Sequence, residues 1–322
     1  MRIRYYQGIP NTSKPRLRML AANILSIAVL GLQWIFIVLH TLFAKRRTYR
    51  HEVALCLIFR NEAQFLREWI EYYLLIGVDH FYLYNNLSDD NYLKVLQPYI
   101  DNGTVTLTEW PYEYTQVEAY NDCYRRFRNE AHWIGYIDAD EFINLRRDNS
   151  IKTLLHSFRR YPSLVLHWRD FGTSGHTKYQ PGELVTERYT AAWPWLCHLG
   201  KSFINNDYDF CRIWIHEHWA RYLGMRLYPV ADNKLPVPYA PTLWRHGIGR
   251  RAYINHYFSR SYDWYIYKDF KRGDVDSADN MELKKRKGRF EMHELNCSTR
   301  DYSIQRWLVL LKLRMGKGKQ HD

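Results

Sequence analysis

Between residues 52 and 137 short apolar runs alternate four times with helix-period segments, and that alternation leaves few folds open to the chain. Residues 52–59 read as a buried strand, and 62–76 place Phe65, Leu66, Trp69, Ile70, Tyr73 and Leu74 at helical spacing. Residues 80–84 are a second strand. Residues 93–100 form a helix that the turn signal Asp101-Asn102-Gly103 ends. Residues 104–110 alternate and are β-branched, 116–129 are helical again, and 133–137 make a fourth strand. Such alternation predicts an α/β, Rossmann-like, mainly parallel sheet with helices on both faces. Beyond Asp148 the pattern loosens: 163–168 and 210–215 read as strands, while 228–241 are rich in proline and polar residues. An irregular C-terminal half follows, with long loops of the kind that select a substrate.

Asp138-Ala139-Asp140-Glu141 comes directly after the fourth apolar run. The C-terminal lip of a buried strand is where α/β sheets bind ligands. Residues i and i+2 of an extended or turning backbone point the same way, so Asp138 and Asp140 can converge on one hard cation with oxygen ligands. Two other Asp-x-Asp triplets, at Asp207 and Asp274, have no apolar strand before them. Placement therefore selects the first. Glu141 is either a supporting partner or a surface carboxylate.

Residues 20–44 carry no Asp, Glu, Lys or Arg, with Asn23, Gln33 and His40 among their few polar positions. At helical rise such a run spans about 30 Å of hydrocarbon, which predicts a single transmembrane helix. The apolar part is too long for a signal peptide, and no small-residue cleavage site follows it. The division expected is a basic tail (1–19), the membrane helix (20–44), a linker (45–52), the main domain (53–275) and a basic C-terminal tail (276–322). In that last tail Ile304, Trp307, Leu308, Leu311 and Met315 can share one face of an amphipathic helix, either interfacial or packed on the domain. The short linker would hold the domain close to the bilayer, which favours the cytoplasmic face of a bacterial membrane over a Golgi lumen. Net charge is +12, of which residues 1–51 hold +9 and residues 284–322 hold +7, leaving −4 for the centre. An acidic centre argues against nucleic acid as a partner. The five cysteines are scattered without zinc-type spacing.

An ordered series of segments resembles glycosyltransferase family 92 and the related family-2-like transferases. It comprises Cys56-Leu-Ile-Phe-Arg-Asn-Glu62, Glu68-Trp69-Ile70-Glu71-Tyr72, Tyr84-Asn85-Asn86-Leu87-Ser88, Gln116, Ile137-Asp-Ala-Asp-Glu-Phe142, Phe171-Gly172-Thr173-Ser174-Gly175-His176, Lys201-Ser202 and Asn255-His-Tyr-Phe-Ser-Arg-Ser261 with Lys268. The resemblance implies a GT-A fold, a nucleotide-sugar donor linked to UDP, Mn²⁺ or Mg²⁺, and a glycan or lipid-linked glycan acceptor, with galactose as the sugar guessed from the family. It implies further that Arg60, Asn61 and Glu62, together with Asn85 and Asn86, hold the nucleoside. Asn85 stands where related enzymes often have Asp. His256 would be a third metal ligand beside Asp138 and Asp140, with a buried structural histidine or His216-Glu217-His218 as rival readings. Lys201, Lys268, Arg260 and Arg272 are cations available to the diphosphate. Inverting transfer needs a carboxylate to take the acceptor proton, and Asp170 and Glu187 are the candidates. Trp193, Trp195, Trp214 and Trp219 would stack on sugars or pack the core. The alternatives to a metal-dependent transferase are an inactive glycan-binding relative and a metal-dependent phosphohydrolase.

Overall fold

The computed structural model describes residues 16–44, 47–197, 199–216, 218–237, 249–272 and 283–316. Strand β1 (His51–Phe59) shows why its sequence is apolar without a break from Val53 onward. Val53, Leu55, Leu57 and Phe59 enter one core, whereas Ala54, Cys56 and Ile58 enter another on the opposite face. A strand covered on both sides has no polar face to display. Helix α2 (Ala63–Leu75) seals the first core with Phe65, Leu66, Trp69, Ile70, Tyr72 and Tyr73. After β2 (His80–Asn85), α3 (Tyr92–Asp101) and β3 (Val105–Glu109), helix α4 (Gln116–Phe127) seals the second core with Ala119, Tyr120, Cys123, Tyr124 and Phe127. Strand β4 (Ala131–Tyr136) returns beside β1, so β3, β2, β1 and β4 run parallel.

The sheet then continues through β6, which covers the strand expected over 163–168, and through others that the periodicity did not announce. Next in sequence come β5 (Glu141–Leu145), α5 (Ile151–His156), β6 (Ser163–Asp170), α6 (Val185–Arg188), β7 (Ala191–Ala192) and β8 (Gly200–Asn205). A small separate sheet holds β9 (Asp209–Phe210), β10 (Ala220–Tyr222) and β11 (Met225–Leu227). It includes only the start of the strand expected over 210–215. Strand β12 (Ala252–His256) completes the main sheet, whose order is β3-β2-β1-β4-β8-β6-β12-β5. Three of its seven pairings, β4 with β8, β8 with β6 and β12 with β5, are antiparallel. Gly200 has to be glycine, since a Cβ there would sit 2.1 Å from the Leu166 carbonyl oxygen. In register, His256 lies opposite Asp170 on one side and Glu141 on the other, which sets three ionisable residues in a row across β6, β12 and β5.

Helix α7 (Tyr262–Ile266) runs into a π-turn over Tyr267–Arg272, and α8 (Leu283–Asn296) leads to β13 (Thr299–Arg300), which pairs with β7. A 3-10 turn (Ser303–Trp307) opens α9 (Leu308–Arg314). The expected amphipathic face is real, and it packs on the domain: Ile304, Trp307, Leu311 and Met315 are buried, and Arg314 bonds Glu71 of α2 at 2.8 Å.

The expected membrane span is corrected. Among the described residues no helix is long and apolar enough to cross a membrane. Helix α1 (Arg16–Phe43) does form, but its Gln33, Ile37 and His40 edge is buried against the domain. Gln33 exchanges two 3.0 Å hydrogen bonds with the backbone of Tyr228, and His40 bonds the Asp207 carbonyl at 3.1 Å while stacking on Tyr208 at 3.6 Å. Two of the polar groups that interrupt the apolar run, Gln33 and His40, thus find partners on the domain. The single-pass anchor falls, and with it the placement on a bacterial membrane's cytoplasmic face. The basic tail through residue 15, Glu217, the Asp274 triplet and residues 238–241 lie outside the described residues.

Candidate active site

Strand β4 ends in the Asp138–Asp140 turn, which closes when the Glu141 N–H donates to the Asp138 carbonyl at 3.1 Å. The turn is held from two sides. Trp69 Nε1 donates to that same carbonyl at 3.0 Å, and Glu141 Oε2 accepts from the Asp138 N–H at 2.8 Å. Both aspartates consequently stand at the C-terminal lip of the parallel strands.

Each of them holds a lysine. Asp138 is about one-third exposed (31%), and its Oδ2 lies 2.8 Å from Nζ of the fully buried Lys201. Its Oδ1 accepts from Tyr120 OH at 2.9 Å and Gln116 Nε2 at 3.1 Å. Asp140 is buried and pairs with Lys268 from the π-turn. Burial alone would raise the Asp140 pKa, but Lys268, His256 and Arg260 outweigh it and hold the carboxyl well below the usual range. Burial would lower the Lys201 pKa, yet Asp138 and Glu141 keep it above the ordinary lysine value. Glu141 has no solvent exposure, and burial pushes its pKa up to about 8 against the pull of Lys201.

Across the row, His256 Nδ1 meets Asp170 Oδ1 at 2.7 Å, and the imidazole stacks on Trp168 at 4.4 Å. Burial lowers the His256 pKa, but the Asp170 hydrogen bond and the Asp140 charge raise it overall. A carboxylate on one ring nitrogen is the usual support for a histidine that ligates metal through the other. Tyr257 N–H donates to the Asp140 carbonyl at 2.8 Å, which ties the end of β12 to the turn.

In donor type Asp138, Asp140 and His256 fit a hard divalent cation, and Glu141 Oε1 is a buried oxygen with no hydrogen-bond partner. They are not gathered into one ligand sphere while the lysines hold the carboxylates. Among the described residues, the His/Cys/carboxylate triple whose ligand atoms lie within 4.8 Å of one another is His293, Glu294 and Cys297 on and after α8. Glu294 there already accepts from Thr173 N, Thr173 Oγ1 and Ser259 Oγ, so the triple reads as a structural tie.

The remaining expected residues divide between the site and its scaffold. Arg60 is half-buried in the loop after β1. Asn61 takes a left-handed φ of 53° and reaches Ser88, Asp89 and the Tyr267 hydroxyl. Glu62 accepts from the buried Arg260, whose other arm donates to the Ala139 carbonyl at 2.9 Å and so fastens the loop after β1 to the aspartate turn. Asn85 braces Glu109 and Ser88, and Asn86 donates to the Trp110 and Tyr112 carbonyls while its buried Oδ1 lacks a partner. Glu187 is not brought to the row, because its carboxylate holds Lys312 at 2.5 Å and its carbonyl accepts from Gln305. His216 bonds the Gly200 carbonyl at 3.0 Å, and His218 Nδ1 accepts from Trp214 N. Trp193 is core, whereas Trp214 is partly exposed (39%). Sequence reasoning did not assign Tyr120 and Gln116 to the Asp138 side chain. Their i, i+4 spacing on α4, facing a strand end, was the available signal.

The model for glycosyltransferase family 92 matches residues 51–284, which takes in this turn, both lysines and the Asp170–His256 pair. The chain belongs to glycosyltransferase family 92. A family 92 protein of Ricinus communis is 33% identical over 241 residues, covering 69% of this chain and 38% of that protein. A galactan β-1,4-galactosyltransferase of Arabidopsis thaliana is 30% identical over 114 residues, covering 32% of this chain and 22% of the relative. The family 92 chain thus spans well under half the length of these curated relatives. The S. aureus protein TarS in complex with UDP-GlcNAc aligns at a TM-score of 0.31 with 12% identity, over 40% of this chain and 37% of that one, too distant a likeness to argue from.

Proposed function

We propose that this family 92 chain is a GT-A glycosyltransferase that moves a sugar, galactose first among candidates, from a UDP-linked donor to a glycan acceptor with inversion. The observation that supports it most is the aspartate turn at the strand ends, flanked by two lysines and faced by the Asp170–His256 pair. Departure of a nucleoside diphosphate concentrates negative charge on phosphate oxygens, and fixed cations stabilise that charge best where water is excluded. Lys201 is rigid and buried beneath Asp138, while Lys268 sits on a π-turn and can pass from Asp140 to the diphosphate. Mn²⁺ or Mg²⁺ held by Asp138 and Asp140, with His256 as third donor, would supply further charge neutralisation. Asp170 is the preferred base for the acceptor hydroxyl. It lies in the row with His256, which orients it, whereas Glu187 is engaged with Lys312.

The test is a donor screen on the purified chain with added glycan acceptors, with Mn²⁺, with Mg²⁺ and with EDTA. Product formation from UDP-galactose that falls in Asp138→Ala and Asp140→Ala supports the reading. No transfer or hydrolysis of any nucleotide sugar would remove it. The lysine pairs on both aspartates favour one other reading, an inactive glycan-binding relative, which calorimetry would reveal as glycan binding without metal-dependent donor binding.

A further inference from the structure

Four arginines line one hollow of about 490 Å³ on the other side of the sheet. Arg146 and Arg147 follow the last residue of β5, Arg250 comes just before β12, and Arg169 belongs to β6. Register brings them together: Leu145 pairs with Ala252, so the residues beyond these two strand ends converge. Alternation sets the face. Tyr253 and Asn255 point opposite to Ile254 and His256, and Arg169 pairs with Asn255, so the hollow and the Asp170–His256 pair occupy opposite faces.

Charge there is unevenly settled. Arg169 is neutralised by Asp301 at 2.7 Å, and the neighbouring Arg251 by Asp148 at 2.7 Å. Among the described residues no carboxylate forms an ion pair with Arg146, Arg147 or Arg250. Arg146 has an uncharged partner, the Tyr253 hydroxyl, at 3.1 Å. Three like charges around one hollow repel one another, and guanidinium forks match the paired oxygens of carboxylates and phosphates. The walls add a second feature. Arg146 and Arg169 lie 5.8 and 6.0 Å from the Tyr253 ring centroid, and Trp195 also lines the hollow. Tyr253 is itself buried under these arginines, and the partly exposed Trp195 beside the cations suits a ligand that carries an apolar ring face together with anionic groups.

We propose that this hollow binds an acidic saccharide, its carboxylate or phosphate oxygens held by Arg146, Arg147 and Arg250 and a sugar ring against Trp195. The choice of a saccharide rests on the glycosyl transfer proposed above, whereas the anion site rests on the arginines alone. Such a site on the reverse face would hold an acidic chain while the aspartate turn acts on another residue of it.

Calorimetry on the full chain tests this with three probes: trigalacturonic acid for carboxylates, glucose 6-phosphate for phosphate, and neutral maltotriose. Binding of at least one acidic probe is expected, weakened at least tenfold by the combined Arg146→Ala, Arg147→Ala and Arg250→Ala replacement, with maltotriose silent. Which acidic probe binds decides between a uronate and a sugar phosphate. UDP titrated into the same samples should bind both proteins alike, so a failed donor site and a failed hollow give different results. Should the triple variant lose its melting transition, Arg147→Glu with Arg250→Glu, both exposed, serves instead. Absence of binding by both acidic probes, undiminished binding in the variants, or equal binding of maltotriose would overturn the proposal.

Discussion

Arg260 and Glu62 form a buried ion pair, 2.7 Å from Nη1 to Oε2, across 198 residues of sequence. The other arm of the guanidinium ends on Ala139, between the two aspartates, and its Cζ lies 3.6 Å from the Phe65 ring centroid. Arg260→Ala would leave Glu62 charged and buried, so chemical denaturation should show a loss of roughly 3–5 kcal/mol. Replacing both partners with apolar residues, Arg260→Met with Glu62→Leu, should recover part of that stability without restoring activity. A single variant as stable as the parent would contradict the clamp.

Asp138 and Asp140 should be separable by what they hold. Asp140→Asn removes the partner of Lys268, and transfer activity is expected to drop on the order of 10²-fold or more. Asp138→Asn also leaves the buried Lys201 without its ion pair, so it should lower thermal stability as well as activity. Steady-state kinetics beside melting curves distinguish the two.

Asp170 and Glu187 give opposite expectations as bases. Asp170→Asn should cost about 10²–10⁴ in kcat. Glu187→Gln breaks an exposed pair with Lys312, worth at most about 1 kcal/mol, and should leave turnover within a few-fold. Reversal of this order would move the base to Glu187.

His132 predicts an alkaline loss of stability. Burial acts to lower its pKa, but Asp207 and Glu52 on either side of the ring raise it to about 9. Because the folded value exceeds the unfolded one, the contribution is complete below about pH 6.5 and disappears as pH rises through about 9. With the ring partly open to water, a loss on the order of 1–2 kcal/mol is expected across that window. Urea titrations from pH 6 to 9.5 should show a shallower slope in His132→Gln than in the parent, with the difference centred between the unfolded histidine value and about 9; Glu141, raised to about 8, adds the same slope to both proteins.

How much was legible in the sequence follows from what each segment buries. The half from β1 to β4 could be read because its strands fill both faces with hydrocarbon and its helices carry apolar stripes at 3.6-residue spacing. Strands β5, β8 and β12 escaped because the residues they bury include Glu141, Asn144, Lys201, Ser202, Asn205 and Asn255. Those polar side chains are buried for the sake of the site and its bracing, and they erase the alternation that marks a strand. Within the site, the position of Asp138 and Asp140 was readable from the apolar run before them. Lys201 and Lys268 were expected as cations for the diphosphate, but their pairing with the two aspartates was not legible, since they lie 63 and 128 residues away in sequence. Helix α1 shows the converse. Its apolar length was visible, but only the fold reveals that Gln33 and His40 dock on Tyr228 and Asp207.

The row Asp170–His256–Glu141 is written into backbone ladders and not into loops. Sliding β12 by one position would turn His256 to the arginine-lined face and bring Asn255 or Tyr257 in its place. Loop exchange for engineering new acceptor preferences can therefore vary sequence and length in the connections outside the aspartate turn and the loop after β1, provided the strand residues that set this phase are left untouched.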